Sequence, residues 1–219
     1  MAGNETSRRE SIRERIYADL RRRVRRCELD PEDRLVDVEI ARAYGASRMP
    51  AREALLQLVN EGYLVGTSRG FALPTLSMQE VRDVFEVRKL LEPRAAALAA
   101  GNLDAASEEA LDAALAEAQA AMRADDVARL IRANVDFRDA WVARVRNVRL
   151  AETLARFVDH VQTVRREMLA CAKTRRVVLE GIEDLRAAFA TRDPVVAGDR
   201  MASFISAAER AYFSARGAA

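Results

Sequence analysis

The sequence predicts a mainly α protein in two parts: a small helical unit closed by a β-hairpin, followed by an all-α antiparallel helical bundle. Three observations carry this expectation. Apolar residues recur at helical spacing along almost the whole chain. The one strand-like stretch is confined to residues 63–73. Five prolines and nine glycines in 219 residues are too few for a turn-rich β-sandwich. Half of the residues are hydrophobic, which excludes a wholly disordered chain. No apolar run approaches the ~18 residues of a membrane span, and residues 1–26 are too charged to resemble a signal peptide. A cytoplasmic protein without membrane contact is expected. Cys27 and Cys171 form no CxxC pair and read as two reduced thiols.

Residues 8–26 read as a first helix, because Ile12, Ile16, Leu20 and Val24 recur every four residues with arginines on the other faces. Pro31 follows in a loop. A short helix fits residues 36–43, with Asp37 near its start and Gly45 just past its end. The third helix begins after Ser47, a good N-cap, and carries Pro50 in its first turn, where a missing N–H does little harm. Leu55, Leu58 and Val59 form its buried stripe and Gly62 ends it. Tyr63-Leu64-Val65 and Phe71-Ala72-Leu73 then read as two strands around a Gly66–Gly70 tip. Helix, helix, tight turn, helix and hairpin in this order predict an N-terminal winged helix-turn-helix over residues 1–76.

From Ser77 onward only helices are expected. Ser77-Met78-Gln79-Glu80 is a capping box that opens a helix to about residue 100, and Pro93 should bend or break it. Further helices fit 104–123, 126–146, 148–172, 174–191 and 194–215, with Asp125 and Asp193-Pro194 as starts. Short connections between them predict an antiparallel bundle over residues 77–219.

The net charge of +2 is uninformative until the chain is divided. Residues 1–76 hold 14 arginines against 12 carboxylates, and the remainder is balanced. So small an excess leaves the case for a nucleic-acid partner to individual arginines. Arg48 and Arg52 are four apart and project from one face of the third helix, the helix that enters the major groove in this fold. Each guanidinium can pair bidentately with guanine O6 and N7, or with a phosphate. Ser47 and the helix-start N–H groups can hold a phosphate, and Arg69 at the hairpin tip can reach an adjacent groove. Glu53 is expected to pair with a neighbouring arginine.

Ser47-Arg48-Met49-Pro50-Ala51-Arg52-Glu53-Ala54-Leu55 resembles the SR-x-P-x-REAL recognition segment of GntR-type bacterial transcription regulators, with every fixed position matched. Leu58, Glu61-Gly62 and the Arg69-Gly70 wing continue the pattern. A position that is basic in some members is Val38 here. Glu86-Val87-Arg88-Lys89-Leu90-Leu91-Glu92-Pro93 resembles the first helix of the FCD effector domain found in the FadR-type subfamily. The resemblance implies a homodimeric repressor that binds a palindromic double-stranded DNA operator through Ser47, Arg48, Pro50, Arg52, Arg69 and Gly70.

Many FCD domains bind a metal through an Asp or Asn and three histidines. Here Asn134 is followed four residues later by Arg138, and the two later ligand positions carry Ile182 and Phe204. His160, the only histidine, cannot rebuild such a site, so no metal or other cofactor is expected. Arg138 would instead supply a fixed cation for an anionic small-molecule effector, aided by Arg88 and Asn134, with Trp141 one turn further on as a wall and His160 as a further candidate. The other reading of Arg138 is an internal ion pair in a pocket packed shut. Two other functions compete. A helical-bundle enzyme would need a nucleophile with a base or a metal cluster, and GxSxG, HExxH and P-loop motifs are all missing. An architectural DNA binder would need no effector at all.

Overall fold

A computed structural model of the chain describes residues 11–159 and 162–217. It divides between Pro74 and Thr75 into two compact units.

The first unit opens with α1 (Ile12–Arg25), where Ser11 and Glu14 form a capping box. Its expected first residues, 8–10, lie outside the described residues. Ile16, Leu20 and Val24 are buried, as the four-residue spacing requires. α2 (Asp37–Ala43) ends at Tyr44, and Gly45 takes φ +60°, the left-handed conformation that stops a helix. α3 (Arg48–Asn60) buries Ala51, Ala54, Leu55 and Leu58 against the apolar face of α1. Arg13 to Gln57 (2.9 Å) and Tyr17 to Glu61 (2.5 Å) tie the polar edges of the same two helices together.

The hairpin is displaced from the expected strands. β1 (Val65–Thr67) pairs antiparallel with β2 (Gly70–Ala72), leaving a tip of only Ser68 and Arg69. Tyr63 and Leu64 are instead core residues that close α3. Leu35 exchanges two backbone bonds with Phe71 (2.8 and 2.9 Å), which pins β2 to the chain before α2. This approach requires Gly70: its φ is +120°, and a Cβ there would stand 2.6 Å from the Leu35 carbonyl oxygen.

The second unit is helical among its described residues: α4 (Met78–Ala100), α5 (Ala105–Arg123), α6 (Val127–Val142), α7 (Val148–Asp159), α8 (Gln162–Ala170), α9 (Ala172–Ala190) and α10 (Pro194–Ala215). Cross-helix contacts fix the directions. Lys89 meets Glu209 and Phe85 meets Tyr212 and Phe213, whereas Gly198 lies against Pro93 and Ala97, so α4 and α10 are antiparallel. The pairs Arg186–Asp112 and Arg192–Glu108 set α5 against α9 in the same way.

Two helix expectations need correction. α4 runs unbroken through Pro93, so of the bend or break expected there the break does not occur. The proline forfeits one backbone bond, and α10 packs closely there, since a Cβ on Gly198 would be 3.3 Å from the Pro93 carbonyl oxygen. The cap of α6 is Asp126, because Asp125 takes φ +53° to reverse the chain after α5. The expected helix 148–172 is seen as α7 before and α8 after residues 160 and 161, which lie outside the described residues; α7 packs on α4, and α8 packs on α6 and α9. The Ser77 capping box and the Asp193 cap with Pro194 behind it stand as expected. Cys27 and Cys171 are both free thiols. No described helix is long and apolar enough to cross a membrane.

Candidate functional site

In the first unit, Ser47 is the N-cap of α3 by position, with extended backbone, but its side chain makes no capping bond. Arg48 and Arg52 follow on the same exposed face, with Pro50 half-buried between them. Their partner is Asp37 at the start of α2, and not the expected Glu53. Arg48 donates from Nε to Asp37 Oδ2 at 3.0 Å, and Arg52 donates from Nη1 to the same oxygen at 3.3 Å. The carboxylate side chain is 6% exposed, while the two arginine side chains are 66% and 53% exposed. The hydrogen bond from Arg48, aided by that from Arg52, holds the Asp37 carboxyl below its ordinary range against the opposing effect of burial. Met49, 66% exposed, puts an apolar side chain at the same helix end.

Arg69 is exposed at the hairpin tip. There the Thr67 hydroxyl accepts from the Arg69 N–H (3.2 Å) and donates to the Gly70 carbonyl (3.0 Å), which fixes the turn. Gly70 serves the fold by its close approach to Leu35.

In the second unit, four of the five expected effector residues meet. Arg88, Asn134, Arg138 and Trp141 line one cavity of about 70 Å³, several times the volume that one water needs. His160 lies outside the described residues. Arg138 forms an internal ion pair, and it lines the cavity rather than closing it.

The ion pair centres on Glu92, which is buried in α4. Arg88 donates from Nε to Glu92 Oε1 at 2.7 Å, and Arg138 donates from Nη1 to Oε2 at 3.1 Å. Burial pushes the Glu92 carboxyl up, but the two guanidinium groups, Arg138 foremost, outweigh this and hold it well below the usual carboxylate range. Arg138 also sits 5.3 Å from the centroid of the Trp141 ring, a cation–π contact. Val178, Ile182, Leu185, Met201 and Phe204 form the apolar wall, and Arg165 brings a third guanidinium to the lining. An added Cβ at Gly181 would collide with the Phe204 ring, so that glycine lets the ring lie against α9.

Asn134, Arg138, Ile182 and Phe204 thus converge on one cavity. A guanidinium, an isoleucine and a phenylalanine offer no donor atom to a metal, so these residues do not fit one.

Glu92, Asp37, Met49 and Arg165 were not singled out from the sequence. Glu92 carried a usable signal, since it stands four residues after Arg88 on one helix face. Asp37 and Arg165 carried none, because their neighbours are set by tertiary packing.

A family model for the gntR family of bacterial regulatory proteins matches residues 12–70, and one for the FCD domain matches residues 83–207. The chain belongs to the GntR family of bacterial transcription regulators. Its FCD domain accounts for the bundle that contains the cavity. The GntR-family chain is 26% identical to the HTH-type transcriptional regulator YdhC of Bacillus subtilis over 152 residues, 68% of each protein. It is 31% identical to the HTH-type transcriptional regulator McbR of Escherichia coli over 129 residues, 58% of each. The solved structure of E. coli McbR superposes with a TM-score of 0.81 at 25% identity, covering 94% of this chain and 99% of that one. A GntR-type regulator from Rhodococcus sp. RHA1 shares the fold, with a TM-score of 0.72 at 20% identity over 93% and 98% of the two chains. These relatives are transcription regulators, not enzymes.

Proposed function

We propose that this GntR-family protein is a ligand-responsive, cytoplasmic repressor that binds a palindromic operator as a homodimer. Its residues 1–76 read DNA and its residues 77–219 bind the effector and the second subunit. In this reading Arg48 and Arg52 contact base edges in the major groove, and Met49 meets a thymine methyl. Ser47 and the uncapped start of α3 hold a phosphate, Pro50 shapes that first turn, and the Arg69-Gly70 wing reaches the neighbouring backbone.

The effector is a small organic acid with an apolar body, bound without a metal. The observation that carries this is the lining of the cavity, which combines three arginines and one glutamate with aliphatic and aromatic side chains. A ligand carboxylate would compete with Glu92 for Arg88 and Arg138, beside Asn134, while Trp141, Ile182 and Phe204 enclose the apolar body. His160 remains a candidate partner. Binding acts on DNA affinity only through a difference in effector affinity between the operator-competent and incompetent states.

Thermal melting of the whole chain against aliphatic and aromatic monocarboxylic acids, with the matching amides as controls, tests the effector reading. A bound acid at a hundred times its dissociation constant stabilises by about 2.7 kcal/mol. The amides should give no shift, and Arg138→Ala should abolish the response. Equal shifts from acid and amide would remove the anionic effector.

A further inference from the structure

We propose that Asp37 is a positioning residue for DNA reading: it orients Arg48 and Arg52 before DNA arrives and so determines which edge of each guanidinium faces the bases. The inference rests on the reading of α3 as the helix that enters the groove, and it goes beyond that reading by naming what aims its arginines.

The geometry supplies the argument. Both arginines converge on the single oxygen Oδ2, but through different nitrogens. Arg48 uses Nε, which leaves its Nη1–Nη2 edge outward. Arg52 uses Nη1, which leaves its Nε–Nη2 edge. Each remaining edge presents two parallel N–H donors, the pattern that guanine O6 and N7 require. Without a carboxylate between them, two cations four residues apart on one helix face would repel and splay. Long, exposed arginines would also have to be ordered at the moment of binding, which opposes affinity.

Asp37 is suited to the task because it does not move with them. It lies in the first turn of α2 and is buried, whereas both arginine side chains are more than half exposed. The carboxylate therefore belongs to the rigid body of the unit, and the guanidinium groups belong to its surface. A flexible surface glutamate could neutralise the same charge without fixing either edge. A phosphate has no such constraint, since a guanidinium can bind it through any edge. Loss of Asp37 should accordingly damage base discrimination more than backbone affinity.

The test uses the full chain and duplexes enriched from a random pool by the wild-type protein. Affinity is measured for an enriched duplex and for a shuffled duplex of the same composition, across a salt series. For Asp37→Asn the enriched-to-shuffled ratio should fall roughly tenfold, with shuffled-duplex affinity unchanged or higher because a negative charge has been removed. A folded Asp37→Asn protein with the wild-type ratio would overturn the inference. Should that variant fail to fold, the wild type decides. The Arg48 Nε–H should exchange slowly with solvent in the DNA-free protein, and exchange as fast as that of the exposed Arg69 would count against Asp37. Arg48→Ala with Arg52→Ala separates the two claims. If the double variant keeps its selection, the reading of α3 has failed. If the double variant loses selection and Asp37→Asn keeps it, only the positioning role has failed.

Discussion

Asp37 and Glu92 do the same electrostatic work in the two units. Each is a buried carboxylate that gathers two arginines, one oxygen serving both in the first unit and one oxygen serving each in the second. What differs is the surroundings of the cations. Arg48 and Arg52 are 66% and 53% exposed, whereas Arg88 and Arg138 are only 16% and 12% exposed. Water screens the first cluster, so its arginines can exchange a partner with little penalty. In the second cluster the low surrounding dielectric strengthens each attraction and makes an uncompensated charge costly. One motif is therefore a surface that can be recruited, and the other is a buried cluster of two cations and one anion in which an incoming ion must displace a partner.

The largest expected consequence is at Glu92. Removing one partner of a buried ion cluster costs about 3–5 kcal/mol, because the remaining charges stay buried. Glu92→Gln should destabilise the helical unit by that order. Trp141 is the only tryptophan and is buried in that unit, so its fluorescence during denaturation reports the effect free of the DNA-reading unit. Replacing all three members together, Arg88→Met, Glu92→Leu and Arg138→Met, should restore most of the loss, as buried ion triads can give way to apolar packing. An unperturbed melt for Glu92→Gln would mean that the second cluster is as well screened as the first.

Next in size is the effect of the reading arginines on DNA. A bidentate arginine–guanine contact contributes about 1–3 kcal/mol of discrimination. Arg48→Ala and Arg52→Ala should each lower the preference for selected over shuffled duplex by that amount, leaving the Trp141 melt of the helical unit unchanged. A loss of affinity equal on both duplexes would instead make them phosphate contacts, with the salt slope falling by about one for each.

The two clusters were unequally legible in the sequence. Arg48 and Arg52 stand in a local pattern, four apart behind an N-cap and a first-turn proline, so spacing alone places them on one face. Arg88 and Arg138 come from α4 and α6, and only the resemblance to a known domain brought them to one cavity. Neither carboxylate was foreseen as the hub, since Asp37 meets residues 11 and 15 positions away and Glu92 meets Arg138 46 positions away. Helix caps such as Ser77 and Asp193 were readable because their bonds span two or three residues. Contacts set by tertiary packing were not readable in this way. The strand register slipped for a similar reason: Tyr63 and Leu64 look like strand residues, yet burial under α3 claims them.

Acid should distinguish the clusters more gently. Glu92 has its carboxyl lowered on folding, so its contribution to stability is fully present above the ordinary glutamate value of about 4.3 and is lost as pH falls through the depressed folded value. The Trp141-monitored stability of the helical unit should therefore decline below about pH 4.3, and part of that decline should be missing in Glu92→Gln. A decline of the same slope in the variant would assign it to other carboxylates, such as Asp112 and Glu117, which are also lowered by arginine partners.

The smallest expected change is in the stability of the first unit when Asp37 becomes Asn. The amide keeps the shape and can still accept from Arg48, while both guanidinium groups can turn to water without being buried uncompensated. Amide exchange across Ala51–Leu58 of α3 should consequently change far less than the Trp141 melt changes in Glu92→Gln. The carboxylate in the exposed cluster would then govern where its arginines point rather than whether the unit folds. Exchange that accelerates throughout α3 would show instead that Asp37 fastens α2 to α3, and that the two clusters differ in depth but not in kind.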